Sequence, residues 1–357
     1  MTTSLVREVD ESSGMSRGGR LVRPAPTKQW VLQGLFEEHA PRRSRHLVEA
    51  VPSPAIIGRR GAPGGGGDHR IELDDPHVSG AHAIVSPAAD GLRVQDRRSR
   101  NGIWLDQERV EECVLRPGAL LRVGRSLFTC GVLEELEEQH SADGLLGGAC
   151  FREVRDALNS SAGSALHVVV LGGPGSGKRA FARALAGRQM RTWAEFDPSR
   201  IPPRLLEVEL FGNQRVRGAL RSAGEGALYV TRSDKLSSSQ LDRLVLEANT
   251  FGTRLLFGVA GGSSLLQQAA LGGALRVALP GLEQRRPDIP LLVSSVIPRG
   301  LIGIQVEFVE ACYFESWPGN VGQLLRTVRD AVARAVAERE GAVAPRHLLK
   351  AEPGGHE

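Results

Sequence analysis

Two parts of this sequence carry donor sets suited to phosphate. The first is split over three short segments: Gly58-Arg59, Ser79-Gly80-Ala81-His82 and Asp96-Arg97-Arg98-Ser99-Arg100-Asn101-Gly102. A phosphate dianion is held best by a fixed fork of charged and neutral donors, and Arg59, Ser79, Arg100 and the Asn101 amide supply both kinds. Gly102 permits a positive φ in the turn that follows Asn101. The second part is continuous, Gly172-Gly173-Pro174-Gly175-Ser176-Gly177-Lys178-Arg179, and fits GxxxxGK. Backbone N–H groups of such a loop surround phosphate oxygens, and Lys178 can reach the terminal phosphates. Lysine is scarce here: among 45 basic residues only Lys28, Lys178, Lys235 and Lys350 are lysines, so an ammonium at this position is a signal in itself.

These residues need elements to position them. Between residues 44 and 136, apolar runs recur at roughly ten-residue intervals (HLVEAV, AIIGRR, HRIEL, AHAIVS, LRVQD, GIWLD, LLRVG, LFTCGVLEEL), the pattern of an all-β sandwich. Pro63–Gly67, Pro87–Gly91 and Arg116–Gly118 supply the turns, and the three split segments fall where strands meet loops. Residues 1–43 read as a flexible tail in which only Trp30–Phe36 could pack, and the acidic residues 137–150 read as a linker. From 151 the pattern is α/β. The run Leu166–Leu171 enters the glycine loop and a helix follows, while Gly226–Val230 and Arg254–Ala260 read as further buried strands. Residues 304–350 are expected to be a helical subdomain, with a tail at 351–357.

The three split segments together resemble the forkhead-associated (FHA) domain, over essentially all of residues 44–136. That resemblance implies that Arg59, Ser79 and Asn101 contact a phosphothreonine and its peptide backbone. Gly58, His82 and Gly102 would shape the loops. Gly80 stands where the family usually has a basic residue, so either Arg100 compensates or the affinity is lower.

The second region resembles the AAA+ domain of sigma-54-dependent transcription activators over about residues 145–350. LLGGACFREVRDAL, GGPGSGKRAFARALA, ELFG (Glu209–Gly212), GALYVTRSDKL, LPGLEQRRPDIPLL and WPGNVGQLL occur in the family's order. The resemblance implies an α/β P-loop domain with a helical lid and ATP or ADP as cofactor, held by Gly172, Gly175, Ser176, Gly177, Lys178 and Arg179.

The working parts depart from that family. Thr231-Arg232 stands where its metal-holding Asp-Glu belongs, Asp234 is a poor substitute, and Arg179 replaces the residue after the lysine. Ala260 replaces a polar sensor, Gly322 replaces a phosphate-contacting arginine, and Arg276 is a remote counterpart of the trans-acting arginine. The GAFTGA loop that engages sigma-54 is absent, as is a helix-turn-helix. The expectation is therefore a phosphothreonine-reading adaptor with a hydrolysis-dead AAA+ domain, no catalytic residues and no metal. Its expected partners are a phosphorylated protein (a Ser/Thr kinase or its substrate) and other AAA+ activator subunits, with no direct DNA contact. The alternative is an active ATP-dependent sigma-54 activator without its own DNA-binding domain.

Composition limits the other classes. Hydrophobic residues are 41% and charged residues 24%, which excludes wholesale disorder, and Gly 43 with Pro 20 cluster rather than repeat. No apolar run approaches the ~20 residues of a membrane span, and the N-terminus has no secretory core. Four cysteines without CxxC pairing fit neither a zinc site nor a disulfide framework, so the expected location is the cytoplasm. The net charge of +4 is spread along the chain and is weak support for nucleic-acid binding.

Overall fold

The computed structural model describes residues 29–38, 48–62, 69–132, 140–142, 145–148, 151–189, 191–260, 271–298 and 300–348. The first unit is a β-sandwich. Its strands are β1 (Trp30–Glu37), β2 (Val48–Ala50), β3 (Ala55–Arg59), β4 (His69–Leu73), β5 (Ala83–Ala88), β6 (Gly91–Asp96), β7 (Ile103–Leu105), β8 (Glu108–Val110), β9 (Glu112–Leu115), β10 (Leu121–Val123) and β11 (Ser126–Val132). They form sheets of order β2-β1-β11-β10-β7-β8 and β4-β3-β5-β6-β9. Alternating residues such as Leu32, Ile57, Ile71, Val85, Val94 and Phe128 meet between the sheets, as the period-2 pattern requires. The expectation for residues 1–43 needs correction: Trp30–Glu37 is no tail but pairs antiparallel with β11 over its length. Residues 1–28 and 39–43, and the Pro63–Gly67 turn, lie outside the described residues.

Part of the expected linker is also ordered. β12 (His140–Ala142) and β13 (Leu145–Gly147) make a two-stranded hairpin, and Leu145 is buried. Next come α1 (Arg152–Ala162), β14 (Val168–Leu171), α2 (Lys178–Arg188), β15 (Trp193–Phe196), α3 (Leu206–Phe211), α4 (Ala219–Ala223), β16 (Ala227–Val230), α5 (Ser238–Phe251), β17 (Arg254–Val259) and β18 (Leu275–Ala278). The five strands run parallel in the order β15-β16-β17-β14-β18, and the three central ones, β14, β16 and β17, are buried on both faces, which explains their largely apolar sequence. Local signals set the helix ends. Ser237 and Gln240 form a capping box at the start of α5, and Gly252 closes it in the left-handed region.

The lid comprises α6 (Ile289–Val296), β19 (Gly303–Ile304), α7 (Val306–Phe314), α8 (Asn320–Ala337) and β20 (Ala342–Val343). Leu324, Val328, Ala331 and Ala335 make the buried stripe of α8. That core does not stop at the lid, because Leu35, Phe36, Leu120 and Leu127 of the sandwich belong to the same apolar cluster. The β1–β11 register shifts between Gly34 and Phe36, and this bulge turns both Leu35 and Phe36 onto the lid side.

Polar contacts fix the orientation of the two units. The Tyr313 hydroxyl donates to the Gly118 carbonyl (2.9 Å), and Glu38 accepts from the Val306 N–H (3.1 Å) at the start of α7. Arg122 pairs with Glu307 (3.0 Å) and Glu310 (3.3 Å) and lies 4.5 Å from the centroid of the Trp104 ring.

Burial pushes the Glu310 carboxyl up to about 7, against the opposing pull of Arg122, and pushes buried Asp288 up to about 6. A carboxyl that holds its proton more tightly folded than unfolded stabilises most below the ordinary glutamate range, and that contribution is lost as pH rises through the folded value. We expect calorimetric melting of this unit to fall as pH rises from about 5 to about 8. Glu310→Gln should flatten the upper part of that slope; an unchanged slope would contradict the burial of a protonated Glu310.

Candidate functional site

In the sandwich, the three split segments are tied to one another by hydrogen bonds. The Arg59 N–H donates to the Ser79 carbonyl (3.0 Å), and the Arg100 N–H donates to Ser79 Oγ (3.2 Å). Arg59, Arg100 and Asn101 are exposed and Ser79 is half-buried. Asn101 Nδ2 donates to the His77 carbonyl (2.7 Å), so one amide proton is already used to hold the loop. Nothing in the sequence pointed to that use.

His82 is fully buried and acts between the loops. The Ser79 N–H donates to His82 Nδ1 (3.0 Å), which makes Nδ1 the acceptor. The proton therefore sits on Nε2, which donates to the Gly102 carbonyl (3.0 Å). Burial holds the imidazole pKa below its ordinary value, consistent with that neutral tautomer. Gly102 has φ +70°. At Gly58 a Cβ would lie 2.1 Å from the Gly80 carbonyl oxygen, so only glycine lets the Ser79 loop come this close.

Sequence reasoning missed three supports. Asp96 accepts from the Ser99 N–H and hydroxyl (3.1 and 2.5 Å), and Ser99 Oγ accepts from the Gly102 N–H (2.9 Å), bracing the Asn101 turn. Arg70 donates to the Gly80 carbonyl (2.7 Å). Buried Asp75 accepts from the His77 N–H (2.8 Å) and the Ser126 hydroxyl (2.9 Å), anchoring the Ser79 loop to the opposite sheet. Ser99 and Asp96 lay inside the quoted motif, so their Asx-type pairing was the one readable signal.

In the α/β unit the glycine loop links β14 to α2. Gly175 and Gly177 have φ +66° and +107°, and α2 starts at Lys178 without a side-chain cap. Its first N–H groups have no intrahelical acceptor, a ready anion site. Lys178 Nζ donates to the Gly172 and Gly173 carbonyls (2.7 Å each), and burial lowers its pKa. Ser176 is buried and its Oγ has no hydrogen-bond partner.

The lid closes onto this loop through backbone. The Gly322 N–H donates to the Gly175 carbonyl (3.1 Å), and Asn320 Nδ2 donates to the Pro174 carbonyl (2.9 Å). The other end of the Asn320 amide accepts from the Leu282 N–H (2.8 Å). A cleft of about 880 Å³ opens here, bounded by the loop, the ends of β16 and β17 and the lid residues Val321 and Gly322. The loop fits a phosphate.

Mg²⁺ does not fit. Lys178, Arg179, Arg183, Arg232 and Lys235 line the cleft against a single acid, exposed Asp234. Glu195 is committed to Arg179, whose Nε and a terminal nitrogen both lie 2.7 Å from one carboxylate oxygen. Among the described residues no cluster of three His, Cys, Asp or Glu could hold a metal. Two like unit charges 4 Å apart repel by about 4 kcal/mol at an effective dielectric of 20, so these cations oppose a divalent ion. Arg276 lies in strand β18, opposite Val169, and is not part of the cleft lining. After ELFG the chain makes a tight turn: Asn213 Oδ1 accepts from the Arg215 and Val216 N–H groups (2.8 Å each), and Gly218 packs on Gly212.

The fold is that of a β-sandwich joined to an AAA+ domain with a helical lid. Residues 55–124 match the FHA domain family and residues 147–246 match the Sigma-54 interaction domain family, and the chain carries both. The chain is similar to the phenol regulator MopR of Acinetobacter guillouiae (27% identical over 258 residues, 60% of this chain and 45% of that protein). It is also similar to the anaerobic nitric oxide reductase transcription regulator NorR of Serratia proteamaculans (26% over 239 residues, 55% and 47%). It thus spans less than half the length of these curated relatives, both of them regulators. Crystalline NtrX from Brucella abortus in complex with ATP shares the fold at 21% identity, with TM-score 0.51 over 57% of this chain and 56% of that one. Among the described residues no helix is long and apolar enough to cross a membrane.

Proposed function

We propose that this protein is a phosphothreonine-reading regulator whose AAA+ domain has kept its fold and anion cleft but does not hydrolyse ATP. The observation that carries the reading is a contrast between the two pockets. The sandwich presents Arg59, Ser79, Arg100 and Asn101 on mutually bonded loops, while the cleft has Arg232 at the end of β16, where a carboxylate would have to stand. Arginine can neither accept a proton from water nor ligate Mg²⁺. Output then passes through protein partners: a phosphorylated kinase or kinase substrate at the sandwich, and AAA+ activator subunits at the α/β unit.

The test pairs two measurements on the full chain. A degenerate phosphothreonine peptide library is titrated beside its unphosphorylated twin, and ATP turnover is followed with Mg²⁺ present. Phosphate-dependent binding without turnover is expected. Equal binding of the two libraries would remove the reader, and turnover abolished by Lys178→Ala would instead establish an active ATPase, as the sigma-54 activator alternative requires.

A further inference from the structure

We propose that the cleft takes the polyphosphate chain of a nucleotide in its metal-free form, with Arg232, Lys235 and Arg183 supplying the positive charge that Mg²⁺ supplies elsewhere. The inference rests on the non-hydrolytic reading above and adds the ligand state. Three independent observations converge on it.

The first is the charge of the walls. Five cationic side chains face one carboxylate across the cleft, and neither Arg183 nor Lys235 has an ion-pair partner among the described residues. Among the described residues the Arg232 side chain donates only to the Ser199 hydroxyl (3.1 Å), and it is exposed. Cations left unpaired beside a concave surface raise the local concentration of polyanions and repel cations. The second is the loop itself, an uncapped helix N-terminus whose N–H groups meet the same space. The third is Ser176, a buried hydroxyl that lines the cleft and has no partner, a state that a bound oxygen would relieve.

The backbone at residue 232 favours this use of its side chain. Arg232 has φ +47°, a left-handed conformation uncommon for a long side chain. It lies two residues beyond β16 and lines the same cleft as the glycine loop. Lys178 is bonded to its own loop carbonyls, and charge on an incoming phosphate competes for it.

The experiment uses the full chain and isothermal titration with ATP, ADP and inorganic triphosphate, each in EDTA and in excess Mg²⁺. ATP is expected to bind in EDTA and to weaken about tenfold in Mg²⁺, because chelation removes charge that the arginines would meet. Arg232→Gln should weaken metal-free ATP by about tenfold, with an unchanged melting curve because Arg232 is exposed. ATP binding tighter than triphosphate supports a nucleotide ligand, and equal binding supports the polyphosphate chain itself. Binding that requires Mg²⁺ without turnover overturns the inference and leaves the non-hydrolytic reading standing, as does no binding in either buffer. Mg²⁺-dependent turnover overturns both.

Discussion

Replacing Arg59 by alanine is expected to weaken phosphothreonine-peptide binding by about thirtyfold to a hundredfold, or about 2–3 kcal/mol, and to leave the melting temperature unchanged. The first half follows from charge. A guanidinium–phosphate contact is a charge-assisted pair, and its loss leaves Arg100 as the one charged donor beside the neutral Ser79 and Asn101. The second half follows from what Arg59 does in the free protein. Its backbone N–H holds the Ser79 carbonyl, which alanine preserves, and its side chain is exposed. The neighbouring arginine is the control. Arg60 is paired with Asp74 at 2.6 Å and Glu72 at 3.7 Å, so Arg60→Ala removes surface ion pairs and should leave peptide affinity within about twofold. Titration of both variants against the same peptide checks the prediction, and equal losses would place the phosphate elsewhere on the sandwich.

The second large effect is expected at Gly175. An alanine there would hold φ near +66°, and its Cβ would lie 2.0 Å from the Gly319 carbonyl oxygen. Main chain on both sides cannot yield as a flexible side chain does, so the loop and the lid must separate. Positive φ alone costs alanine about 1–2 kcal/mol, and the clash adds to it. We expect Gly175→Ala to lower stability by about 3 kcal/mol or more and to break the Gly322–Gly175 hydrogen bond. Gly177→Ala separates the two causes, because its φ is +107° but nothing lies within 4 Å of the added carbon. Thermal melts that rank Gly177→Ala as the milder change would support this account; the reverse order would mean the lid is not seated on the loop.

Much of this architecture is legible in the sequence because its signals are local. GxxxxGK after an apolar run specifies a strand, a loop and a helix within a few residues. The split motif likewise marks the strand ends that become β3, the Ser79 loop and the Asn101 turn. Three features escaped for a common physical reason: they depend on contacts far apart in the chain. All eight residues of β1 are buried, since Trp30 and Leu32 face the sandwich core while Leu35 and Phe36 face the lid. That double burial erased the alternation that identifies a surface strand, and the segment read as a packed island in a tail. The Arg122–Glu307 pair joins residues 185 apart, which no periodicity can announce. The Asn101 amide is partly spent on the His77 carbonyl for the same reason.

The seam between sandwich and lid has a mechanical consequence. The lid is fastened at two places, to the glycine loop through Asn320 and Gly322 and to the sandwich through Arg122, Tyr313 and the shared apolar core. Arg122 lies over Trp104, and the Trp104 indole N–H donates to the Asn101 carbonyl (3.2 Å) in the Asn101 turn. A lid swinging away from the loop must then carry the whole sandwich with it like a crank, or tear the Arg122 pairing. The Asn101 turn and the glycine loop are thus joined by one continuous run of contacts that passes through Trp104, Arg122 and the lid.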